Sequence, residues 1–230
     1  VVVLPFKPKG ILSNSKYHAM KRLISLEAKF NKDEVLHANY KEFINEFIQL
    51  NHLEPVPADE LEIDPARSFY LPHHCVFKDS TTTKLRVVFD ASAKTSTGSL
   101  NDHLMVGPTL QDKLFSHLIR FSFHHVAVTG DITKMYRQVA LCKEDKDFHR
   151  LLWRECQTMP VQVYRMTRVT YGVASSSYHA IRALRDTHLT APEWLATIIK
   201  RDFYVDDLMS GAESVRKARE LQTALHGHLN

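Results

Sequence analysis

The sequence predicts an α+β fold, an antiparallel sheet covered by helices on one side. Three observations carry that expectation. Apolar residues recur at helical spacing from Ser15 to Ile48, runs of strand type alternate with helical ones further on, and a hairpin near the C-terminus, Tyr204-Val205-Asp206-Asp207, sets two acids between apolar strands. With 230 residues, 44% hydrophobic and 24% charged, the chain can bury one large domain or two intimate subdomains, and its composition is not that of a disordered segment.

Residues 1–13 read as an extended arm punctuated by Pro5, Pro8 and Gly10. A helical period starts at Ser15, with Ala19, Met20, Leu23, Ile24 and Leu26 apolar and Lys16, Lys21, Arg22 and Lys29 solvated. Asp33, a capping residue type, opens a second helix whose Leu36, Tyr40, Phe43, Ile44, Phe47 and Ile48 share a face and which ends before Pro55. A proline- and acid-rich connector leads to strands over 69–77 and 85–89, a hairpin with a long cation-bearing tip. Thr109 caps a helix expected from Leu110, with Leu114, Phe115, Leu118 and Ile119 inward. A strand ending at Asp131 follows, then strands over 148–153 and 162–167 and helices over 175–189 and 194–200. The acid-bearing hairpin joins strands near 202–205 and 208–210, and a last helix takes 212–229.

Adjacent carboxylates in an apolar strand are costly to bury unless a cation binds them. Asp131, at the end of the apolar run Val126-Ala127-Val128, is a third acid in a matching setting. Brought together, Asp131, Asp206 and Asp207 would hold two magnesium ions, or manganese in their place, for nucleotidyl transfer. Strand alternation makes Asp131 and Asp206 the principal ligands and leaves Asp207, turned at the hairpin tip, a supporting part. Alone, an Asp-Asp pair after a strand is most often an ordinary polar turn, so its company decides.

Tyr136 follows Asp131 closely enough for its ring to sit beside the sugar of a bound nucleotide and exclude a 2′-hydroxyl; without the neighbouring acids it would be a packing aromatic. Lys84 and Arg86 alternate with Leu85 and Val87, which puts both cations on one hairpin face suited to a triphosphate. Tyr171-Gly172 stands in a turn that runs into a serine-rich helix start, where glycine permits close approach of backbone to a nucleotide or template base. His73-His74-Cys75 is a poor zinc site, because consecutive strand residues point to opposite faces.

The net charge of +4 and pI near 8.9 suit a nucleic-acid partner without requiring one. Three cysteines without CxxC spacing favour a reducing compartment, cytosol or nucleus, and no apolar run approaches the ~18 residues of a membrane span. The opening valine suggests an excerpt of a longer polyprotein.

Taken in order, Lys84-Leu85-Arg86-Val87-Val88-Phe89-Asp90-Ala91-Ser92, Gly130-Asp131-Ile132-Thr133-Lys134-Met135-Tyr136, Arg168-Val169-Thr170-Tyr171-Gly172-Val173 with Ser175-Ser176, and Tyr204-Val205-Asp206-Asp207-Leu208-Met209-Ser210-Gly211 resemble reverse transcriptases of LTR retrotransposons, BEL/Pao type. The resemblance implies a right-hand polymerase, with fingers over residues 1–125, an antiparallel palm sheet packed on helices within 126–230, some interleaving of the two, and no thumb. It gives the metals to Asp131, Asp206 and Asp207, the sugar gate to Tyr136, the triphosphate to Arg86 and Lys84, and a place near the incoming nucleotide to Gly172 beside Tyr171. Its implied partners are a template-primer duplex, a deoxynucleoside triphosphate and the remainder of the polyprotein (thumb, RNase H, integrase), in cytoplasmic virus-like particles or the nucleus. Family members usually carry proline where this chain has Ser177, and often phenylalanine in place of Tyr136 and Tyr171. The competing reading is a decayed or domesticated fragment that binds nucleic acid without chemistry.

Overall fold

The computed structural model describes residues 1–8, 11–77 and 85–229. In chain order the elements are α1 (Lys16–Phe30), α2 (Glu34–Gln49), β1 (Leu53–Pro55), β2 (His73–Phe77), β3 (Leu85–Phe89), α3 (Leu100–His103), α4 (Leu114–Ser122), β4 (Val126–Asp131), β5 (Arg150–Trp153), β6 (Gln162–Met166), α5 (Ser176–Asp186), α6 (Glu193–Arg201), β7 (Phe203–Tyr204), β8 (Asp207–Ala212) and α7 (Val215–Leu229), with short 3-10 turns between them. They form two compact units, Val1–Val106 with Val139–Ser176 and Gly107–Gln138 with Ser177–Asn230. The chain changes unit after Val106, Gln138 and Ser176.

In the first unit α1 and α2 pack against the strands to form part of the core. Leu23, Leu26 and Phe30 of α1 and Tyr40, Ile44 and Phe47 of α2 are buried with Phe69, Val87, Phe89 and Trp153. The Tyr40 ring stacks on Trp153 at 5.4 Å, and Phe47 packs on Phe89 at 5.9 Å. Asp33 caps α2 by accepting the Leu36 amide at 2.8 Å, as its residue type predicts. Ser15 precedes α1 but accepts the Tyr70 amide at 2.7 Å instead of capping its own helix. Ile24, expected on the apolar side, is 55% exposed, because the buried line of α1 runs through Ala19, Leu23, Leu26 and Phe30 and takes in Glu27. Glu27 is tolerated there by a two-pronged ion pair with Arg154 at 2.6 and 2.8 Å.

β2 and β3 pair antiparallel, His73 opposite Phe89 and Val76 opposite Arg86. A three-stranded sheet in the order β1-β6-β5 stands beside them in this unit. β1 falls in the stretch read as helix end and connector, and Pro55 is accommodated because β1 is an edge strand. Two arginines are buried with this sheet. Arg150 donates to Asp147, the Tyr70 hydroxyl and the carbonyls of Glu60 and Leu61, while Arg165 pairs with Glu54, Glu60 and Asp147. The arm is held by backbone bonds from Val2 to Ala140 and from Cys142 to Val2, and by the Leu4 amide on the Asp145 carboxylate at 2.6 Å.

The second unit holds the sheet β4-β8-β7, antiparallel throughout. Met135, Ala180, Leu184, Leu195, Ile199, Phe203, Leu208, Leu221 and Leu225 form its core, drawn from the sheet, from the 3-10 turn Met135–Gln138 and from α5, α6 and α7. The helix expected from Leu110 starts at Leu114, with Lys113 at its N-cap in place of Thr109. Its orientation also corrects the expectation: Leu114, Phe115, Leu118 and Ile119 are exposed, and His117 is the buried residue of α4. The reason is the anchoring of the opposite arc. His117 lies against the Tyr204 ring at 5.4 Å, and Arg120 donates to the Arg201 carbonyl at 3.0 Å, which turns the apolar arc away from the sheet.

Candidate functional site

β4 and β8 are antiparallel, and their register sets Asp131 opposite Asp207 and Gly130 opposite Leu208. Directly opposed residues share a face, so the two carboxylates meet through the ladder itself, and like charges so placed repel unless a cation lies between them. On the other side of the central strand, Tyr204 pairs with Asp207 and closes a two-residue turn at Val205 and Asp206. The places of the two acids are therefore the reverse of those expected: Asp207 stands in the ladder against Asp131, and Asp206 occupies the tip. Asp206 still joins them, because its carbonyl accepts the Ile132 amide at 3.0 Å and the turn does not continue strand alternation.

Carboxylate oxygens of Asp131, Asp206 and Asp207 all lie within 4.8 Å of one another, with Asp131 and Asp207 exposed and Asp206 half-buried. The set is all-oxygen, compact and open to solvent, which suits a hard divalent cation such as magnesium that keeps water or substrate in its shell. Partial burial first, and then the charges of Asp206 and Asp207, raise the Asp131 pKa above the ordinary aspartate value. Asp131 also borders an open groove of about 910 Å³ whose walls include Gln138, Arg219, Gln222 and His226. A second cavity of about 450 Å³, walled by Phe123, Trp194 and Lys217, touches none of the three acids.

Tyr136 belongs to the same unit. Its ring packs partly on the Met135 and Leu208 core, and its hydroxyl lies 3.1 Å from the Ser177 hydroxyl.

Arg86, Tyr171 and Gly172 belong to the first unit. Arg86 is exposed beside fully buried Val87, as the alternation predicts; Lys84 lies outside the described residues. Tyr171 donates its hydroxyl to the Val87 carbonyl at 2.7 Å. Gly172 has φ +94, and a Cβ there would stand 2.3 Å from the Phe89 carbonyl oxygen. The close approach that requires glycine is therefore to β3 of the chain itself. Asn101 fixes the same turn, donating to the Gly172 carbonyl at 2.9 Å and accepting the Ala174 amide at 2.7 Å.

His73, part of the His-His-Cys string, is buried with both ring nitrogens engaged: Nδ1 accepts the Tyr40 hydroxyl at 2.5 Å and Nε2 donates to the Leu152 carbonyl at 3.0 Å. Sequence reasoning missed Gln111, whose side-chain amide bonds the backbone on both sides of Tyr204. It is separated from Val205 by 94 positions, and no motif marks it.

Together the interleaved units and the acid-bearing sheet define a reverse-transcriptase-like fold of the α+β class. The chain is similar to a foamy viral protease-reverse transcriptase, solved in a dRH form with double-stranded DNA, at 16% identity and TM-score 0.60 over 83% of this chain and 28% of that one. A second structure of a foamy viral protease-reverse transcriptase, in complex with an RNA/DNA hybrid, matches at 14% identity and TM-score 0.63 over 84% of this chain and 22% of that one. The chain spans about a quarter of the length of these solved chains. No family model and no curated protein matches its sequence. Among the described residues no helix is long and apolar enough to cross a membrane.

Proposed function

We propose that this chain is the RNA-directed DNA polymerase region of an LTR retrotransposon polyprotein of the BEL/Pao type, adding deoxynucleotides to a primer 3′-hydroxyl at a two-magnesium site. The observation that carries the reading is the meeting of Asp131, Asp206 and Asp207 within 4.8 Å on a reverse-transcriptase-like fold. Bound magnesium would supply activation of the 3′-hydroxyl and neutralisation of charge at the phosphate under attack. Asp131 and Asp207 present their carboxylates from one face of the sheet, and Asp206 adds a third from the turn. Tyr136 limits the sugar to its 2′-deoxy form, while Arg86 and Lys84 bind the triphosphate and Tyr171-Gly172 supports the nucleotide-binding surface. A template-primer duplex is the partner, by analogy with the nucleic acids in the two foamy viral structures and in keeping with the net charge of +4. The setting is a cytoplasmic virus-like particle in which the rest of the polyprotein contributes the thumb, RNase H and integrase.

The test has two arms. Calorimetric titration with Mn²⁺ should show binding by the chain and its loss in Asp206→Asn, and the natural polypeptide that carries these residues should extend a DNA primer on an RNA template. A chain that binds no Mn²⁺ sinks the carboxylate reading. Mn²⁺ binding without extension by the natural polypeptide would point to a nucleic-acid-binding relic.

A further inference from the structure

Val205 is the first central residue of the two-residue turn between β7 and β8, and its φ is +55. Positive φ at the first central position and not at the second is the pattern of a type II′ hairpin turn, which glycine normally occupies. A β-branched residue there is an outlier that persists only when its surroundings hold it. The same turn brings Asp206 to the Asp131 and Asp207 carboxylates.

Gln111 holds it. Its Oε1 accepts the Val205 amide at 3.0 Å, and its Nε2 donates to the Phe203 carbonyl at 3.1 Å, so one planar amide spans the backbone on either side of Tyr204. The segment bearing Gln111 is itself fixed by α5. The Arg185 guanidinium donates to the Leu110 carbonyl, and Gly107, at φ +89, sits so close to the Tyr178 ring that a Cβ would meet it at 2.5 Å. On the other side of the turn the Ile132 amide donates to the Asp206 carbonyl.

We propose that Gln111 is a positioning residue for the carboxylate site: its side-chain amide locks Val205 in the left-handed conformation and so sets Asp206 beside Asp131 and Asp207. The proposal rests on the reading of those carboxylates as a divalent-cation site. Without the amide clamp the strained valine relaxes, the turn loses its single conformation and Asp206 leaves the cluster. Glycine at 205, which adopts positive φ without penalty, makes the clamp dispensable.

Mn²⁺ titration of the intact chain tests this, with thermal melting in chelator alongside. Gln111→Met, which keeps the length of the side chain and removes both bonds, should weaken Mn²⁺ binding by about 10-fold or more, the usual effect of losing a group that orients a metal ligand. Val205→Gly added to Gln111→Met should return the affinity toward that of the parent. A Gln111→Met chain that melts earlier but binds Mn²⁺ as the parent does would show a merely structural residue and overturn the proposal. So would a double variant that stays as weak as the single one. Absence of Mn²⁺ binding by the parent is a separate result: it removes the carboxylate reading and this inference with it.

Discussion

Asp131, Asp206 and Asp207 place three carboxylates within 4.8 Å of one another, and the Asp131 pKa is raised first by partial burial and then by the charges of the other two. Asp206→Asn relieves part of that repulsion without touching the core, so in chelator the variant should melt at or above the parent temperature while losing Mn²⁺ affinity. A clear drop in melting temperature would mean that Asp206 has a packing or bonding role instead. Tyr136 is tested by its size. In the natural polypeptide, Tyr136→Ala should raise ribonucleotide use relative to deoxynucleotide use by about 10-fold or more, since a steric clash of a few kcal/mol is removed. Tyr136→Phe keeps the ring and loses only the exposed bond to Ser177, so its selectivity should match the parent. An alanine variant that discriminates as well as the parent in competitive incorporation would make Tyr136 a packing residue of the Met135 and Leu208 core.

Among the elements, the turn at Gly172 and the helix α4 show how far local pattern reaches. The glycine was marked by its place in a motif, but its physical requirement comes from β3. Gly172→Ala must accept φ +94 and a Cβ at 2.3 Å from the Phe89 carbonyl, which should lower stability by about 2 kcal/mol or more. A chemical-denaturation midpoint equal to the parent's would show that the turn yields at no cost. α4 carries a good apolar period, and periodicity says that one arc is apolar without saying what faces it. The bonds of Arg120 and the seat of His117 on Tyr204 decide the rotation. β1 was hidden for a related reason: three residues ending in proline carry no alternation to read, and only pairing with β6 makes them a strand.

At the scale of the molecule, buried histidines predict acid lability of the first unit. His73 and His149 are both buried neutral, and burial lowers each pKa to about 4 from the ordinary 6.5; for His73 the neighbouring His74 charge adds to the shift and the bond to Leu152 opposes it. The unfolded chain therefore takes up protons that the folded chain refuses. Their contribution to stability is complete above pH 6.5 and is lost as the pH falls toward 4, by on the order of 3 kcal/mol per ring at full titration. Urea midpoints at about pH 7.5 and about pH 4.5 compare the two states. Equal midpoints would show that the rings are reached by solvent when folded.

The sequence by itself determined the periods of α1 and α2, the cap at Asp33, the hairpin of β2 and β3, and the three aspartates as a set. Each of these rests on forces that act within a few residues or on the cost of leaving acids in an apolar strand. Only the tertiary structure decided that Asp207 and not Asp206 stands opposite Asp131, since that depends on the register of β4 against β8. It also decided that Arg150 and Arg165 are buried: besides the nearby Asp147, Arg150 needs the carbonyls of Glu60 and Leu61, and Arg165 needs Glu54 and Glu60, all from a distant stretch, and a charged residue in a strand reads as exposed until those partners are known. Gln111 belongs with them. Its value lies in the shape of a turn 94 residues away, and a polar side chain reveals what it satisfies only when the chain has brought the backbone to it.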